Sequence, residues 1–190
     1  MSWTFTSEQD LASTFATEIN PFWQTSVTLG EFVGKDNIDV HYAWCIPETP
    51  KSTVVISSGR IESYLKYKEL IFDLYQNGFA VFILDHRGQG LSGRMTHDPQ
   101  HGYVADFADY VDDLITFVND IVKPRQQGEL QLLCHSMGGA IGALTLLRDP
   151  SLFDKAVLAS PMFGIKPALP NWLANSLIKV GLSINKMKKR

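Results

Sequence analysis

The sequence predicts an α/β protein built on a mainly parallel sheet with helices on both faces. Three observations carry this. Short apolar runs without alternation, such as "STVVIS" (52–57) and "FAVFILD" (79–85), suit strands covered on both sides. Segments of helical periodicity separate them. A pair of β-prone runs comes first, after which strand and helix alternate along the chain.

Residues 1–24 read as a mixed N-terminal arm in which Pro21 breaks any early helix. "SVTLGEFVG" and "IDVHYAWCI", joined by "KDN", predict an antiparallel hairpin. After "STVVIS" and the turn "SGRIE", "SYLKYKELIFDLYQNG" predicts a helix stopped at Asn77-Gly78. "VADFADYVDDLITFVNDIV" puts Phe107, Val111, Leu114, Val118 and Ile121 at three- and four-residue steps, an amphipathic helix ended by Pro124. "ELQLLC" (129–134) predicts another strand, "MGGAIGALTLLRD" the helix behind it, and "KAVLAS" (155–160) the last strand. From Pro161 the pattern changes, as for an inserted cap or lid. The predicted divisions are therefore an arm over 1–24, a core over 25–160 and the start of a cap over 161–190.

Bulk properties narrow the function. At 190 residues, 45% hydrophobic and 19% charged, the chain can bury one core and does not read as disordered. A net charge of -3 argues against nucleic acid as a partner. Five of the 17 Lys and Arg lie in 171–190, which contains no acid. Such an ending is usually a solvated tail and sometimes a surface for anionic lipid. Two cysteines, Cys45 and Cys134, form neither a disulfide framework nor a metal spacing, so a reduced, cytoplasmic protein is expected. The first 20 residues lack the basic and apolar regions of a signal peptide, and no apolar run approaches the ~20 residues needed to cross a bilayer. Membrane contact, if made, is expected to be peripheral.

The chemistry centres on "LLCHSMGGAIG" (132–142). Ser136 stands between a buried strand and a helix, where a sharp turn thrusts a nucleophilic serine above the sheet edge. Gly138 and Gly139 supply the small residues that close strand–helix passage requires. Cys134 occupies the first glycine position, so the match is C-x-S-x-G. The alternative is a helix N-cap serine, but two glycines so early in a helix are costly unless close approach demands them. His135 is read as structural, because adjacent side chains at such a turn point apart and a base must lie within about 3 Å of the hydroxyl. An oxyanion hole needs backbone N–H groups. Met137 would supply one, and Arg60, in the loop "SSGRIES", the other, with Gly59 giving room for close approach to substrate.

"GQGLSG" (88–93) satisfies G-x-G-x-x-G, but "RMTHDP" follows it where a dinucleotide site needs a helix. A tight loop beside an active site accounts for it better. No His, Cys, Asp or Glu cluster has metal-ligand spacing, and the reading calls for no cofactor.

"SGRIESYLKYKEL" (58–70), "LDHRGQGLSGR" (84–94), "CHSMGGAI" (134–141) and "SPMFGI" (160–165) resemble, in this order, the serine hydrolases of the α/β-hydrolase fold. Within them the chain is most similar to the bacterial lysophospholipases of the L-two type, relatives of the monoacylglycerol lipases. The resemblance implies a nucleophile at Ser136, oxyanion donors at Arg60 and Met137, and a cap over an acyl pocket beginning in 161–190. Two departures stand out. Ser58-Gly59 replaces the His-Gly of monoacylglycerol lipases. In this fold the triad acid and histidine follow the serine, whereas all five histidines (His41, His86, His97, His101 and His135) precede it, and only Asp149 and Asp154 come later. The expectation is an N-terminal portion of a longer enzyme, truncated after its sixth strand. By itself it would be poorly soluble and nearly inactive, with "KAVLAS" as an open apolar edge.

The expected reaction is acyl-ester cleavage of a lysophospholipid through a covalent acyl-serine. Arg60, Arg87 and Arg94 are candidate contacts for the phosphate headgroup, with ordinary surface charge the favoured reading for Arg87 and Arg94. A monoacylglycerol lipase or carboxylesterase is the first rival. A non-catalytic fragment or binding module that keeps the hydrolase shell is the second.

Overall fold

Among the described residues, six strands, numbered β1 to β6 along the chain, form one sheet in the order β1-β2-β4-β3-β5-β6. The computed structural model describes residues 3–164. Leu11–Thr14 (α1) runs through a π-helical turn, Phe15–Ile19, into Asn20–Ser26 (α2). β1 (Thr28–Val33) and β2 (Asp39–Cys45) form the predicted antiparallel hairpin, and β2 also pairs antiparallel with β4. β3 (Ser52–Ser57), β4 (Phe79–Leu84), β5 (Leu130–His135) and β6 (Lys155–Ala159) are mutually parallel. Three helices connect them: α3 (Lys68–Gln76), α4 (Ala108–Thr116) and α5 (Met137–Arg148).

The strands carry apolar residues on both faces, as their unalternating sequences require. One face packs Val55, Phe82, Leu84, Leu132 and Cys134 against Val111 and Leu114 of α4 and Ile141 of α5. The other packs Val54, Ile56, Val81 and Ile83 against Ile71 and Phe72 of α3 and Ile19 and Phe22. Burying each large apolar side chain contributes about 1.5–3 kcal/mol, so the two layers fix the register of the central strands β2 to β5.

Pro21 does not break the N-terminal helix. It falls in the first turn of α2, directly after the π-helical turn. A first-turn position tolerates the missing N–H, and the wider turn absorbs the change in hydrogen bonding. The arm is thereby held: Ile19 is fully buried and Phe22 meets Phe72 edge-on at 5.3 Å. α3 stops at Gly78, φ 85°, as predicted. The α4 segment continues as a π-helical turn, Phe117–Val122, and Pro124 lies in the short 3₁₀ turn after it.

β6 pairs with β5 alone among the described residues, and Val157 is 60% exposed. The expected cap falls almost wholly in 165–190, outside the described residues. No described helix is long and apolar enough to cross a membrane.

Candidate active site

Ser136 joins the end of β5 to the start of α5 with φ 52° and ψ −115°. A non-glycine residue rarely adopts a positive φ, and such a conformation persists only where its surroundings over-determine it. Here they do. The Ser136 N–H donates to the Ala159 carbonyl at 3.0 Å, and its own carbonyl accepts from Gly139 N–H and Met162 N–H, both at 2.9 Å. The hydroxyl makes no capping hydrogen bond to the helix, so the N-cap alternative does not describe this serine. Met137 N–H, first in α5, has no intrahelical acceptor.

The elbow is tight because its glycines allow it. A Cβ on Gly138 would lie 2.1 Å from the Ser57 carbonyl oxygen and 2.6 Å from that of Ser58. One on Gly139 would meet Pro161 at 2.7 Å. Cys134 stands where the full motif has glycine because the partner helix makes the concession: a Cβ on Gly142 would be 2.5 Å from the Cys134 Sγ. Burial pushes the Cys134 thiol up to about 12, so it stays protonated and unreactive.

The loop after β3 lies beside this elbow. Gly59 does not leave an open approach for substrate, as the sequence suggested. Its side-chain space is filled from within, since a Cβ there would lie 2.7 Å from Glu62 Oε2 and 3.1 Å from His135 Nδ1. Glu62 Oε2 accepts from Gly59 N–H at 2.7 Å and from the Tyr67 hydroxyl at 2.5 Å; Oε1 takes Lys66 Nζ at 2.6 Å. His135 Nδ1 is 3.4 Å from the same carboxylate. Burial raises the pKa of Glu62, but hydrogen bonds from Lys66, Tyr67, Gly59 and His135 outweigh it and bring it to about 2. Ile61 follows with φ 59°, its N–H donating to Gln89 Oε1. Among the described residues, Arg60 N–H has no acceptor.

The three arginines part company. Arg60 is exposed and lines a polar cavity of about 430 Å³ with Ser63, Gln89, Gly90, Arg94 and Gln100. Arg94 borders that cavity, yet its guanidinium is committed to the carbonyls of Gln89, Gly90, Ser92 and Pro99. It braces a loop and has little left for a headgroup. Arg87 corrects both readings made of it. It is 1% exposed, neither at a mouth nor on the surface, and its guanidinium is forked onto Asp113.

His86 is also buried. Its Nε2 is 2.9 Å from Ser57 Oγ, and Ser57 Oγ donates to the Gly138 carbonyl at 3.3 Å. That network assigns the proton to Nε2 and leaves Nδ1 buried without a partner, as is Ser58 Oγ. A second buried group, Asp85, ties the two loops together by accepting from Tyr64 N–H at 2.6 Å, Ser63 Oγ at 3.0 Å and Leu91 N–H at 2.8 Å. Burial raises its pKa against these bonds.

Sequence reasoning missed Glu62 and Gln89. The available signals were an acid three residues after a turn glycine and a glutamine flanked by two glycines.

The family model described as "Serine aminopeptidase, S33" matches residues 48–188. The chain belongs to the S33 serine aminopeptidase family. Among curated relatives of this S33 chain, lysophospholipase L2 of Escherichia coli strain K12 is 43% identical over 173 residues, covering 91% of this chain and 51% of that protein. The monoglyceride lipase of Rattus norvegicus is 34% identical over 135 residues, covering 69% and 43%. The S33 chain spans about half the length of the curated relatives it matches. Solved structures share the fold. The alpha/beta hydrolase GrgF from Penicillium sp. sh18 aligns with a TM-score of 0.66 at 14% identity, over 86% of this chain and 56% of that one. An epoxide hydrolase from Vigna radiata aligns at 0.58 and 20% identity, over 76% and 41%. The fold of this S33 chain is therefore the α/β-hydrolase fold predicted from its motifs.

Proposed function

We propose that the protein is a serine hydrolase that cleaves the acyl ester of lysophospholipids, releasing a fatty acid and the glycerophospho-headgroup. The observation that carries this is Ser136: a non-glycine residue held at φ 52° between strand and helix, with a hydroxyl that caps nothing. Ser136 Oγ attacks the ester carbonyl, and the N–H groups of Met137 and Arg60 receive the developing oxyanion. The headgroup alcohol leaves, and water hydrolyses the acyl-serine. Support for the substrate class is the 43% identity to a lysophospholipase L2.

The general base is not one of this chain's histidines in the proposal. His86 is buried against Ser57, His135 turns to Glu62, His41 and His101 lie 3.3 and 3.4 Å from Glu31 and Asp98, and His97 is exposed to solvent. The acid and histidine come from outside these 190 residues. Contact with the lipid surface is peripheral in this reading, supported by the exposed Ile61, Leu91 and Phe163 and by the basic run near residue 190.

The test is hydrolysis by the full-length protein of a lysophosphatidylethanolamine and of a monoacylglycerol with the same acyl chain. Faster turnover of the phospholipid, abolished in Ser136→Ala, is expected. Preference for the uncharged ester would favour the monoacylglycerol lipase reading, to which the 34% identical relative points. Undiminished turnover in Ser136→Ala would remove the proposed nucleophile.

A further inference from the structure

The loop "GQGLSG" has glycines that no nucleotide explains, and its glutamine is 5% exposed in an otherwise turn-like stretch. The geometry points to Gln89, acting with Glu62, as a positioning residue that aims the Arg60 N–H at the reacting carbonyl oxygen. This deepens the esterase reading and rests on it.

The argument starts from what surrounds Arg60. Glu62 Oε2 pins Gly59 N–H at 2.7 Å. The Gln89 amide holds the next two peptides: Nε2 donates to the Gly59 carbonyl at 3.4 Å, on the same peptide as the Arg60 N–H, and Oε1 accepts from Ile61 N–H. Polar groups on both sides of Arg60 are thus held by two side chains, and the N–H between them is left without an acceptor among the described residues. Ile61 shows that the hold is forceful. A β-branched residue at φ 59° is strained, and it stays there only under outside constraint.

Both braces are themselves fixed. Gly88 (φ 75°) and Gly90 (φ 51°) give the loop a path that directs Gln89 inward. Gln89 N–H donates to the His86 carbonyl at 3.0 Å, and its own carbonyl accepts from Ser92 N–H at 3.0 Å and Arg94 Nη1 at 3.1 Å. Lys66 and Tyr67 hold Glu62, which also reaches His135, the neighbour of Ser136. The oxyanion loop and the elbow therefore share one polar frame. Preorganised donors act because they need no reorientation as charge develops, and this frame supplies that rigidity.

The experiment uses the full-length protein with Gln89→Met, which keeps the shape and removes both hydrogen bonds. Gln89→Glu retains the acceptor for Ile61 N–H, and Glu62→Gln weakens the opposite brace. Three readouts are taken: steady-state ester hydrolysis, inhibition by a trifluoromethyl ketone whose adduct carries the oxyanion, and amide hydrogen exchange across 59–61. For Gln89→Met, kcat should fall on the order of 10²-fold, with KM within about threefold. The inhibition constant should rise by the same factor as kcat/KM falls, and exchange in the loop should accelerate. Gln89→Glu should recover part of each loss, and Glu62→Gln should shift all three readouts in the same direction.

A folded Gln89→Met protein with kcat within about twofold of the parent overturns the proposal, whatever its exchange pattern. So does a fall in kcat without weaker ketone binding, which would mark a general structural role. Parent protein that hydrolyses no ester fails the functional reading first, and the proposal with it.

Discussion

The Arg87 guanidinium grips the Asp113 carboxylate in a two-pronged pair, Nε to Oδ2 at 2.6 Å and Nη2 to Oδ1 at 2.7 Å. Both side chains are essentially inaccessible to water. Nη2 also donates to the Lys35 carbonyl at 3.1 Å, and Asp109 stands 3.6 Å from Nη1. Burial works against the charge on Arg87, but Asp113 and then Asp109 keep its pKa above the ordinary value. The pair ties the loop after β4 to α4 and to the β1–β2 turn.

Asp113→Ala should therefore destabilise the protein by about 3–5 kcal/mol, because it strands a buried guanidinium. Urea unfolding measures this. A loss below about 1 kcal/mol would show that the pair is no more than a surface bridge.

Gly138→Ala brings a methyl group against strand backbone, 2.1 Å from the Ser57 carbonyl oxygen. Backbone cannot step aside as a flexible side chain can, so α5 must move away from β3. A stability loss of at least about 2–3 kcal/mol is expected, together with loss of Ser136 labelling by a fluorophosphonate in the full-length protein. Undiminished labelling in a stable variant would show that the elbow does not depend on this contact.

Acid should weaken the fold through His86. Burial takes its pKa from 6.5 to about 4. Between those values the unfolded chain binds a proton that the folded one refuses, so stability falls as pH drops from 6.5 toward 4. The full effect is roughly 3 kcal/mol. His86→Gln should flatten the dependence of the urea midpoint across this window. An unchanged slope would assign the acid sensitivity to carboxylates alone.

Arg60→Ala keeps the backbone N–H and removes the exposed cation at the polar cavity. If that cation meets the phosphate, kcat/KM for lysophospholipid should fall about tenfold, while that for an uncharged monoacylglycerol changes little. Equal losses on both would return Arg60 to a purely backbone role.

Much of the framework was legible because it is written in local pattern. Unalternating runs such as 52–57 can be buried only between two layers, and the C-x-S-x-G spacing places a serine where strand meets helix. What escaped prediction depends on partners distant in sequence. Arg87 looks like a surface cation until Asp113, 26 residues away, is brought beside it. Pro21 looks like a helix breaker until a π-helical turn precedes it. Gln89 and Glu62 have no periodicity to betray them, since their meaning lies in a loop that folds back between them. Cys134 reads as a defect in the motif, whereas Gly142, eight residues on, restores the clearance.

The carbonyl of Ser136 holds Met162, and its amide is held by Ala159, so the peptide carrying the hydroxyl is stapled to the chain that leaves β6. Pro161 presses on Gly139 at the same point. The segment Pro161–Gly164 is therefore tied to the elbow as well as to β6, and the backbone that sets the direction of the serine oxygen shares its hydrogen bonds with the exit of β6.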